Sequence, residues 1–175
     1  MVDHNGPKTI KIVLVGDTSV GKSCLIKNYL ENVFTDNYEP TVLDIFRGTK
    51  NVKKKQIELE IHDTSGDDHL GVNRAIQFQE ADIFMVCVAV NSRDSLNSIQ
   101  KWQAEIAEVE PDRPQMLVLT KSDLIEYTDD PVTYEEVKTA KEERGMQGCC
   151  QTSSKVWEDH NVHKAFVRTI ATGYF

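Results

Sequence analysis

The chain has 175 residues, of which 39% are hydrophobic and 27% charged, and its formal net charge is −8. This length predicts one domain spanning 1–175, and the composition is that of an ordinary folded globule. The acidic balance excludes nucleic acid as a main partner, because phosphate binding needs a basic face. No apolar run approaches the ~20 residues of a membrane span. The four cysteines lack disulfide or zinc spacing, so we expect a cytoplasmic location.

Apolar, β-branched runs alternate with amphipathic stretches along the chain. The first kind predicts strands at Ile10–Val15, Gln56–Ile61, Ile83–Val90 and Met116–Thr120, and the more polar Asp44–Lys53 predicts an edge strand that returns as a hairpin. The second kind predicts helices at Lys22–Glu31, Asp94–Val109, Tyr134–Arg144 and Val156–Ala171. Such alternation is typical of an α/β fold with a mostly parallel sheet. Ligands of these folds bind beyond the carboxyl ends of the strands.

Between the first predicted strand and helix lies a segment that fits G-x-x-x-x-G-K-[S/T] at every fixed position. The glycines let backbone N–H groups point at phosphate oxygens, Lys22 can reach the β- and γ-phosphates, and the Ser23 hydroxyl can bind Mg²⁺. A chance match is the alternative, but chance matches seldom fall between a buried strand and a helix. The segment predicts a phosphate-binding loop made of Gly16, Asp17, Thr18, Ser19, Val20, Gly21, Lys22 and Ser23, followed by Cys24.

A second segment, Thr120-Lys121-Ser122-Asp123, closes the strand predicted at Met116–Thr120. The Asp123 carboxylate can accept two hydrogen bonds from the N1–H and the exocyclic amine of guanine. Adenine offers no such donor pair and would leave the carboxylate unpaired, at a cost of ~1–3 kcal/mol. The pattern alone is common, but it becomes specific beside the phosphate loop and Gln151–Lys155, at the end of the next strand. The sequence therefore favours a guanine nucleotide.

From Lys8 to about Gly173, these motifs and the Asp-Thr-Ser-Gly at 63–66 resemble those of the Ras-superfamily small GTPases. The resemblance implies a P-loop fold with a mostly parallel six-stranded sheet and helices on both faces, GTP/GDP and Mg²⁺ as cofactors, and GTP hydrolysis. It implies metal ligation by Ser23, Thr41 and Asp63, and roles in hydrolysis for Thr18, Lys22, Thr41 and Asp67. It adds nucleotide contacts from Phe34, Tyr38, Thr41, Gly66, Thr120, Lys121, Asp123, Leu124, Ser153, Ser154 and Lys155.

Within the superfamily the chain is most similar to the Rho branch. The features are Pro40-Thr41-Val42, Lys101-Trp102, the T-K-x-D-L form of the base motif and Pro131-Val132-Thr133-Tyr134. Two features depart from that branch. Only Leu124–Asp130 stands where Rho proteins usually carry a helical insert, and His62 replaces the usual aromatic residue before Asp-Thr-x-Gly. The resemblance implies effector proteins that bind through switch I and switch II, and exchange factors as further partners.

Three positions of the implied hydrolysis machinery are also unusual. Thr18 stands where glycine leaves room for the attacking water and for an arginine supplied by a partner, and Asp67 replaces the glutamine that orients this water. Ser65 stands where alanine is usual. The same positions diverge in the Rnd proteins, Rho relatives that hydrolyse GTP poorly. We therefore expect a mostly GTP-bound switch. The alternatives are a slow GTPase that still cycles, a scaffold without turnover, or an unrelated P-loop enzyme such as a nucleoside kinase.

The end of the chain carries a further expectation. Rho-like proteins usually continue beyond the last helix with a basic tail and a prenylated cysteine, whereas this sequence stops at Tyr174-Phe175. Membrane attachment is therefore left open beside the cytoplasmic location.

Overall fold

A computed structural model describes residues 8–35, 41–52, 55–156 and 161–174. Six strands form one sheet in the order β2-β3-β1-β4-β5-β6. Strand β2 pairs with β3 in antiparallel orientation, and every other neighbouring pair is parallel. The strands are β1 Thr9–Val15, β2 Leu43–Val52, β3 Lys55–Thr64, β4 Ile83–Ala89, β5 Gln115–Thr120 and β6 Gly148–Gln151. This arrangement confirms the predicted α/β fold with a mostly parallel six-stranded sheet.

Helices cover both faces of the sheet, also as predicted. Helices α1 and α6 pack on one face, and α2, α4 and α5 contribute to the core on the other. The helices are α1 Lys22–Glu31, α2 Gly71–Phe78, α3 Arg93–Asn97, α4 Ile99–Val109, α5 Tyr134–Glu143 and α6 Asn161–Tyr174. Two 3₁₀ segments, Asp68–Leu70 and Ser122–Tyr127, follow β3 and β5. Among the described residues, no helix has the length and apolar character needed to cross a bilayer.

Alternation along the central strands divides the core in two. In β1, Ile10, Ile12 and Leu14 point toward α1 and α6, whereas Val13 and Val15 point toward the opposite layer. Strand β4 is buried along its whole length, as expected for a parallel strand covered on both faces. Burial on both faces explains why the sequence IFMVCVA reads as a continuous apolar run.

Several predicted boundaries were wrong. The helix predicted at Asp94–Val109 is divided into α3 and α4 at Ser98. The strand predicted at Gln56–Ile61 continues to Thr64, so Asp63 lies within β3. Val156 is not helical, and the described part of the last helix begins at Asn161. Helix α2 and both 3₁₀ segments were not predicted.

The order of the strands in the sheet determines where a ligand site can form. Strand β1 lies between β3 and β4, so the connection after β1 begins where the strand order reverses. Such a switch point opens a crevice beyond the carboxyl ends of parallel strands. Strands β1, β3, β4, β5 and β6 all run in the same direction, so the segments that follow Val15, Thr64, Thr120 and Gln151 meet at one edge of the sheet.

Candidate functional site

A cleft of about 850 Å³ opens at this edge of the sheet. It brings together three groups of predicted residues: the phosphate loop, the Ser65–Asp67 segment and the base motif. The predicted residues that line it are Thr18, Ser19, Gly21, Lys22, Ser23, Cys24, Phe34, Thr41, Gly66, Asp67, Thr120, Lys121, Asp123, Leu124, Ser154 and Lys155. Residues far apart in sequence therefore share one cavity large enough for a nucleotide.

The phosphate loop wraps tightly between β1 and α1. Gly16 has φ +146°, and a Cβ at this position would lie 2.4 Å from the Cys87 carbonyl oxygen, so a side chain cannot be accommodated. The ammonium of Lys22 is buried in the loop, where it donates to the carbonyl oxygens of Gly16 (2.7 Å) and Asp17 (3.0 Å). Burial lowers the pKa of Lys22, and the Cys87, Asp63 and Asp17 side chains oppose this shift. The loop thus holds a cation at its centre.

Ser23, at the start of α1, lies beside the other two predicted metal ligands, Thr41 and Asp63. The hydroxyl oxygens of Ser23 and Thr41 are 3.0 Å apart, so the switch I threonine reaches the phosphate loop. Neither carboxylate oxygen of the fully buried Asp63 has a hydrogen-bond partner among the described residues. Burial raises the pKa of the Asp63 carboxyl, and the nearby Ser23 hydroxyl and Lys22 ammonium act in the opposite direction.

This donor set fits Mg²⁺. The described residues contain no group of three or more His, Cys, Asp or Glu that could hold a metal by themselves. Two hydroxyls beside one unpartnered carboxylate instead match a hard cation that takes its remaining oxygen ligands from water and phosphates. Ser23, Thr41 and Asp63 could therefore hold Mg²⁺ together with a bound nucleotide.

The segment after β3 packs directly on the phosphate loop. A Cβ added at Gly66 would lie 2.2 Å from the Thr18 amide nitrogen and 2.4 Å from the Asp17 carbonyl carbon. Only glycine permits this approach of two backbones. The threonine at 18 is exposed beside the contact, so its side chain occupies the rim of the cleft where glycine would leave open space.

The base motif is anchored to the phosphate loop, to β4 and to the segment that follows β6. The Thr120 hydroxyl donates to the Val20 carbonyl oxygen of the phosphate loop and lies 3.1 Å from the Val88 carbonyl oxygen. Lys121 adopts a left-handed conformation (φ 57°), and burial lowers its pKa. The Ser153 hydroxyl donates to Asp123 Oδ1 at 2.6 Å. The Ser153 bond holds the Asp123 carboxylate in the lining of the cleft.

The carboxylate of Asp67 has a local structural partner. Its Oδ1 accepts a hydrogen bond from the His69 amide at 2.9 Å and so caps the 3₁₀ segment Asp68–Leu70. The Asp67 amide in turn donates to the Ser65 hydroxyl at 3.1 Å. Two of the three unusual positions of the implied hydrolysis machinery are therefore bonded to each other within one turn.

Some predicted site residues lie behind the cleft rather than on its wall. Ser153 is buried beneath Asp123, and Asp63, one of the three predicted metal ligands, is fully buried and does not line the cleft. Gly16, Asp17 and Val20 shape the phosphate loop from within. Tyr38 lies outside the described residues, as does most of the implied switch I segment. The cleft is also lined by Ser65, which the sequence analysis named as an unusual position. The further lining residues, which were not predicted as site residues, are Lys27, Thr35, Val42, Asp44, Thr64 and Leu70.

Arg74 is the most consequential residue that the sequence reading missed. It is 2% exposed in α2, and its guanidinium donates to the backbone carbonyls of Ser65 and Asp67 and to the carboxylate of Glu105. No local motif marks it, because the acceptor on α4 lies 31 residues away in sequence. The only local sign is a cation among apolar residues in the stretch Gly71–Phe78.

A comparison with known families agrees with this geometry. The sequence model of the Ras family matches residues 11–173, which is nearly the whole chain and includes every segment that forms the cleft. Members of this family are small GTPases, switches that bind guanine nucleotides and effector proteins and hydrolyse GTP. The chain therefore belongs to the Ras family.

Proposed function

We propose that this Ras-family protein is a Rho-like molecular switch in signalling or cytoskeletal regulation that hydrolyses GTP weakly and is mostly GTP-bound. The observation that carries the proposal is the environment of Asp67. Its carboxylate caps the 3₁₀ segment Asp68–Leu70 through the His69 amide, so it has a structural role next to the place where the family orients its attacking water.

Phosphoryl transfer in this family depends on positioning and on stabilisation of charge. Glutamine at position 67 would offer both an amide donor and an acceptor to a water molecule. Asp67 is one methylene shorter than glutamine. Its carboxylate can only accept hydrogen bonds, and it places negative charge near a polyphosphate. With one carboxylate oxygen held by the His69 amide, the side chain is further restricted from reaching a water molecule.

The threonine at position 18 adds a steric term. Its backbone nitrogen is already in close contact with Gly66, and its side chain extends from the loop at the rim of the cleft. An arginine supplied by an activating protein would have to enter over this rim. Thr18 and Asp67 therefore act on the same transition state, one by crowding and the other by failing to orient water.

The remaining parts of the site support retention of nucleotide. Lys22 and the loop amides would hold phosphates, Asp123 would accept two hydrogen bonds from guanine, and Lys121 would lie along the ring. Ser23, Thr41 and Asp63 would hold Mg²⁺, which would neutralise charge on the β- and γ-phosphates. A protein that keeps these parts but loses the water-orienting group would bind GTP and release phosphate slowly.

Two features support the Rho-like assignment and its partners. Lys101 and Trp102, the pair that resembles the Rho branch, both contact Asp17 of the phosphate loop. Apolar side chains beside the implied switches are exposed, namely Val42 (63%), Val72 (80%) and Ile76 (57%). Such residues suit effector proteins and exchange factors that read switch I and switch II. We place this function in the cytoplasm, with membrane association through a lipidated tail as a second possibility.

The nucleotide that copurifies with the protein tests the proposal. Protein purified in Mg²⁺ is denatured, and the released nucleotide is separated and identified. We expect mostly GTP, whereas an ordinarily cycling member would yield mostly GDP. The double variant Thr18→Gly with Asp67→Gln, which restores both hydrolysis positions, is the comparison, and its GDP fraction should rise. A predominance of GDP in the wild type would contradict the proposed state.

The guanine assignment has its own test. In Asp123→Asn the acceptor for guanine's N1–H becomes an amide, so GTP affinity should fall and xanthosine triphosphate should be admitted. Competition between GTP, ATP and xanthosine triphosphate for the wild type and the variant measures this change. Equal affinity of the wild type for ATP and GTP would contradict the assignment and favour a P-loop enzyme of another class.

A further inference from the structure

The indole of Trp102, in α4, lies between two segments of the site. Its Nε1 donates a hydrogen bond to Asp17 Oδ1 of the phosphate loop at 2.9 Å, and its side chain is fully buried. The guanidinium carbon of Arg74 lies 4.9 Å from the centroid of the same ring. The edge of the indole therefore binds the phosphate loop through Nε1, and the face of the ring contacts the Arg74 guanidinium from α2.

Arg74 uses its donors in two directions. Toward α4, Nε and Nη2 each donate to a carboxylate oxygen of Glu105 at 3.0 Å, a bidentate pair. Toward the segment that follows β3, Nη1 donates to the Ser65 carbonyl oxygen at 3.1 Å and to the Asp67 carbonyl oxygen. The backbone on both sides of Gly66 is therefore fixed from α4 through a single buried side chain.

Lys101 spans the same two segments near the protein surface. Its ammonium lies 2.7 Å from Asp68 Oδ1 and 3.7 Å from Asp17 Oδ1, and 4.3 Å from the centroid of the Trp102 ring. Gly66 closes the arrangement, because its backbone touches that of Asp17 and Thr18 directly. The phosphate loop and residues 65–68 are thus joined by direct contact and by the Lys101 ammonium, whereas Arg74 is linked to the phosphate loop through the Trp102 indole.

We propose that Trp102 and Arg74 are positioning residues that make the phosphate loop and the 65–70 segment one unit mounted on α4. Trp102 fixes the position of the phosphate loop through its hydrogen bond to Asp17. Arg74 fixes the position of the 65–70 segment through its hydrogen bonds to the Ser65 and Asp67 carbonyls. Contact between indole and guanidinium makes each dependent on the other. The proposal rests on the proposed function only in assigning these segments to the phosphate end of the site.

The physical reason is burial. The Arg74 guanidinium and the indole N–H are shielded from water, so a partner that is lost on one side is not replaced by solvent. Residues in one such network give non-additive effects, whereas independent anchors would give additive ones. The coupling therefore predicts that loss of the indole N–H hydrogen bond destabilises the backbone of residues 65–70, although that N–H does not contact them.

Backbone amide hydrogen exchange tests the coupling without measuring activity. Trp102→Phe keeps an aromatic face but removes the N–H. Arg74→Lys keeps the charge but removes the bidentate guanidinium pair with Glu105. The third variant combines the two substitutions. All carry the same bound nucleotide. Peptides covering 16–23 and 65–70 are compared with one covering β4. Each single variant should speed exchange in both site peptides by about tenfold, the factor for a lost hydrogen bond to a charged group.

Matched controls decide between coupling and general loosening. Arg113→Lys makes the same substitution in an exposed arginine that pairs with Glu110 through Nε, and it should leave all three peptides unchanged. The double variant should add little to either single one. Acceleration confined to the peptide nearest each substitution would overturn the proposal, and so would an equal acceleration in β4. If Trp102→Phe does not fold, Asp17→Ala removes the acceptor of the same hydrogen bond and is judged by the same criteria.

These outcomes are separate from the proposed function. A wild type that hydrolyses GTP rapidly would contradict the weak-hydrolysis proposal and leave the exchange result as it stands. Conversely, faster exchange confined to the peptide nearest each substitution would contradict the proposed roles of Trp102 and Arg74. It would not affect the test based on the nucleotide content of the purified protein.

Discussion

The hydroxyl of Ser153 donates a 2.6 Å hydrogen bond to Asp123 Oδ1, although the two residues lie 30 positions apart. Ser153 is 2% exposed, and its oxygen also lies 3.2 Å from the Lys155 amide nitrogen and 3.3 Å from that of Val156. The serine therefore fixes both the carboxylate proposed to read guanine and the turn that begins with Ser154. Its role in the site is to orient Asp123 from behind.

Ser153→Ala should therefore weaken GTP and GDP equally, because the lost bond lies at the base and not at the phosphates. A hydrogen bond to a charged group is worth ~1.5–3 kcal/mol, so affinity should fall about tenfold or more. Equilibrium binding of fluorescent GDP and GTP measures it. Thr139→Ala, which removes an exposed hydroxyl bonded within α5, should change neither affinity. An unchanged affinity in Ser153→Ala would show that Asp123 does not depend on this serine.

Ser23→Asn should weaken GTP binding in Mg²⁺ but much less in its absence. The Ser23 hydroxyl lies 3.0 Å from that of Thr41, and an amide is larger and fits poorly into octahedral geometry with ligands at ~2.0–2.1 Å. GTP affinity is titrated against Mg²⁺ concentration for wild type and variant. Wild-type Mg²⁺ dependence in the variant would exclude Ser23 as a metal ligand.

Arg74→Ala should strongly destabilise the fold. The substitution leaves the Glu105 carboxylate and two backbone carbonyls without their donor, and losing one partner of a buried pair costs ~3–5 kcal/mol. Because Glu105 keeps 27% of its side chain exposed, we expect ~3 kcal/mol in urea unfolding at a fixed nucleotide concentration. Arg113→Ala breaks an exposed pair and should cost less than ~1 kcal/mol. Equal losses of stability in the two variants would contradict the stabilising role of the Arg74 hydrogen bonds.

Glu136 should make stability depend on pH in the acid range. Hydrogen bonds from the Thr133 amide, the Arg93 guanidinium and the Thr133 hydroxyl hold the pKa of Glu136 at about 2, below its ordinary 4.5. A carboxyl whose pKa is lower in the folded state stabilises above its ordinary pKa, and this contribution is lost as the pH falls toward 2. The wild type should therefore exceed Glu136→Gln in stability at pH 7, and the difference should shrink below about pH 4.5.

Glu135→Gln is the matched control for that titration, because Glu135 is 81% exposed and pairs only with Lys138 among the contacts of its side chain in the described structure. Its stability difference from the wild type should stay small at every pH. A constant difference for Glu136→Gln across the acid range would mean that its charge does not support the start of α5.

The sequence predicted those parts of the site whose chemistry is set by contiguous residues. The phosphate loop and Thr120–Asp123 each follow a strand directly, so strand direction and local spacing are sufficient to place them. The Arg74–Glu105 pair could not be predicted in this way, because it depends on how α2 packs against α4. The division at Ser98 was also missed. Ser98 keeps a right-handed conformation (φ −71°, ψ −9°) and its amide bonds the Asp94 carbonyl oxygen, so the amphipathic pattern continues across a local irregularity that it does not reveal.

The proposed weak hydrolysis is tested most directly by single-turnover GTP hydrolysis. Ordinary members turn over unaided at roughly 10⁻⁴ s⁻¹, and a supplied arginine raises this ~10⁵-fold. The wild type should be at or below the ordinary rate, with little stimulation by a Rho-type activating protein. Thr18→Gly and Asp67→Gln alone should help little, and the double variant should recover more than the sum of the two. A wild-type rate well above the ordinary one would show that Asp67 orients water effectively and would contradict the account.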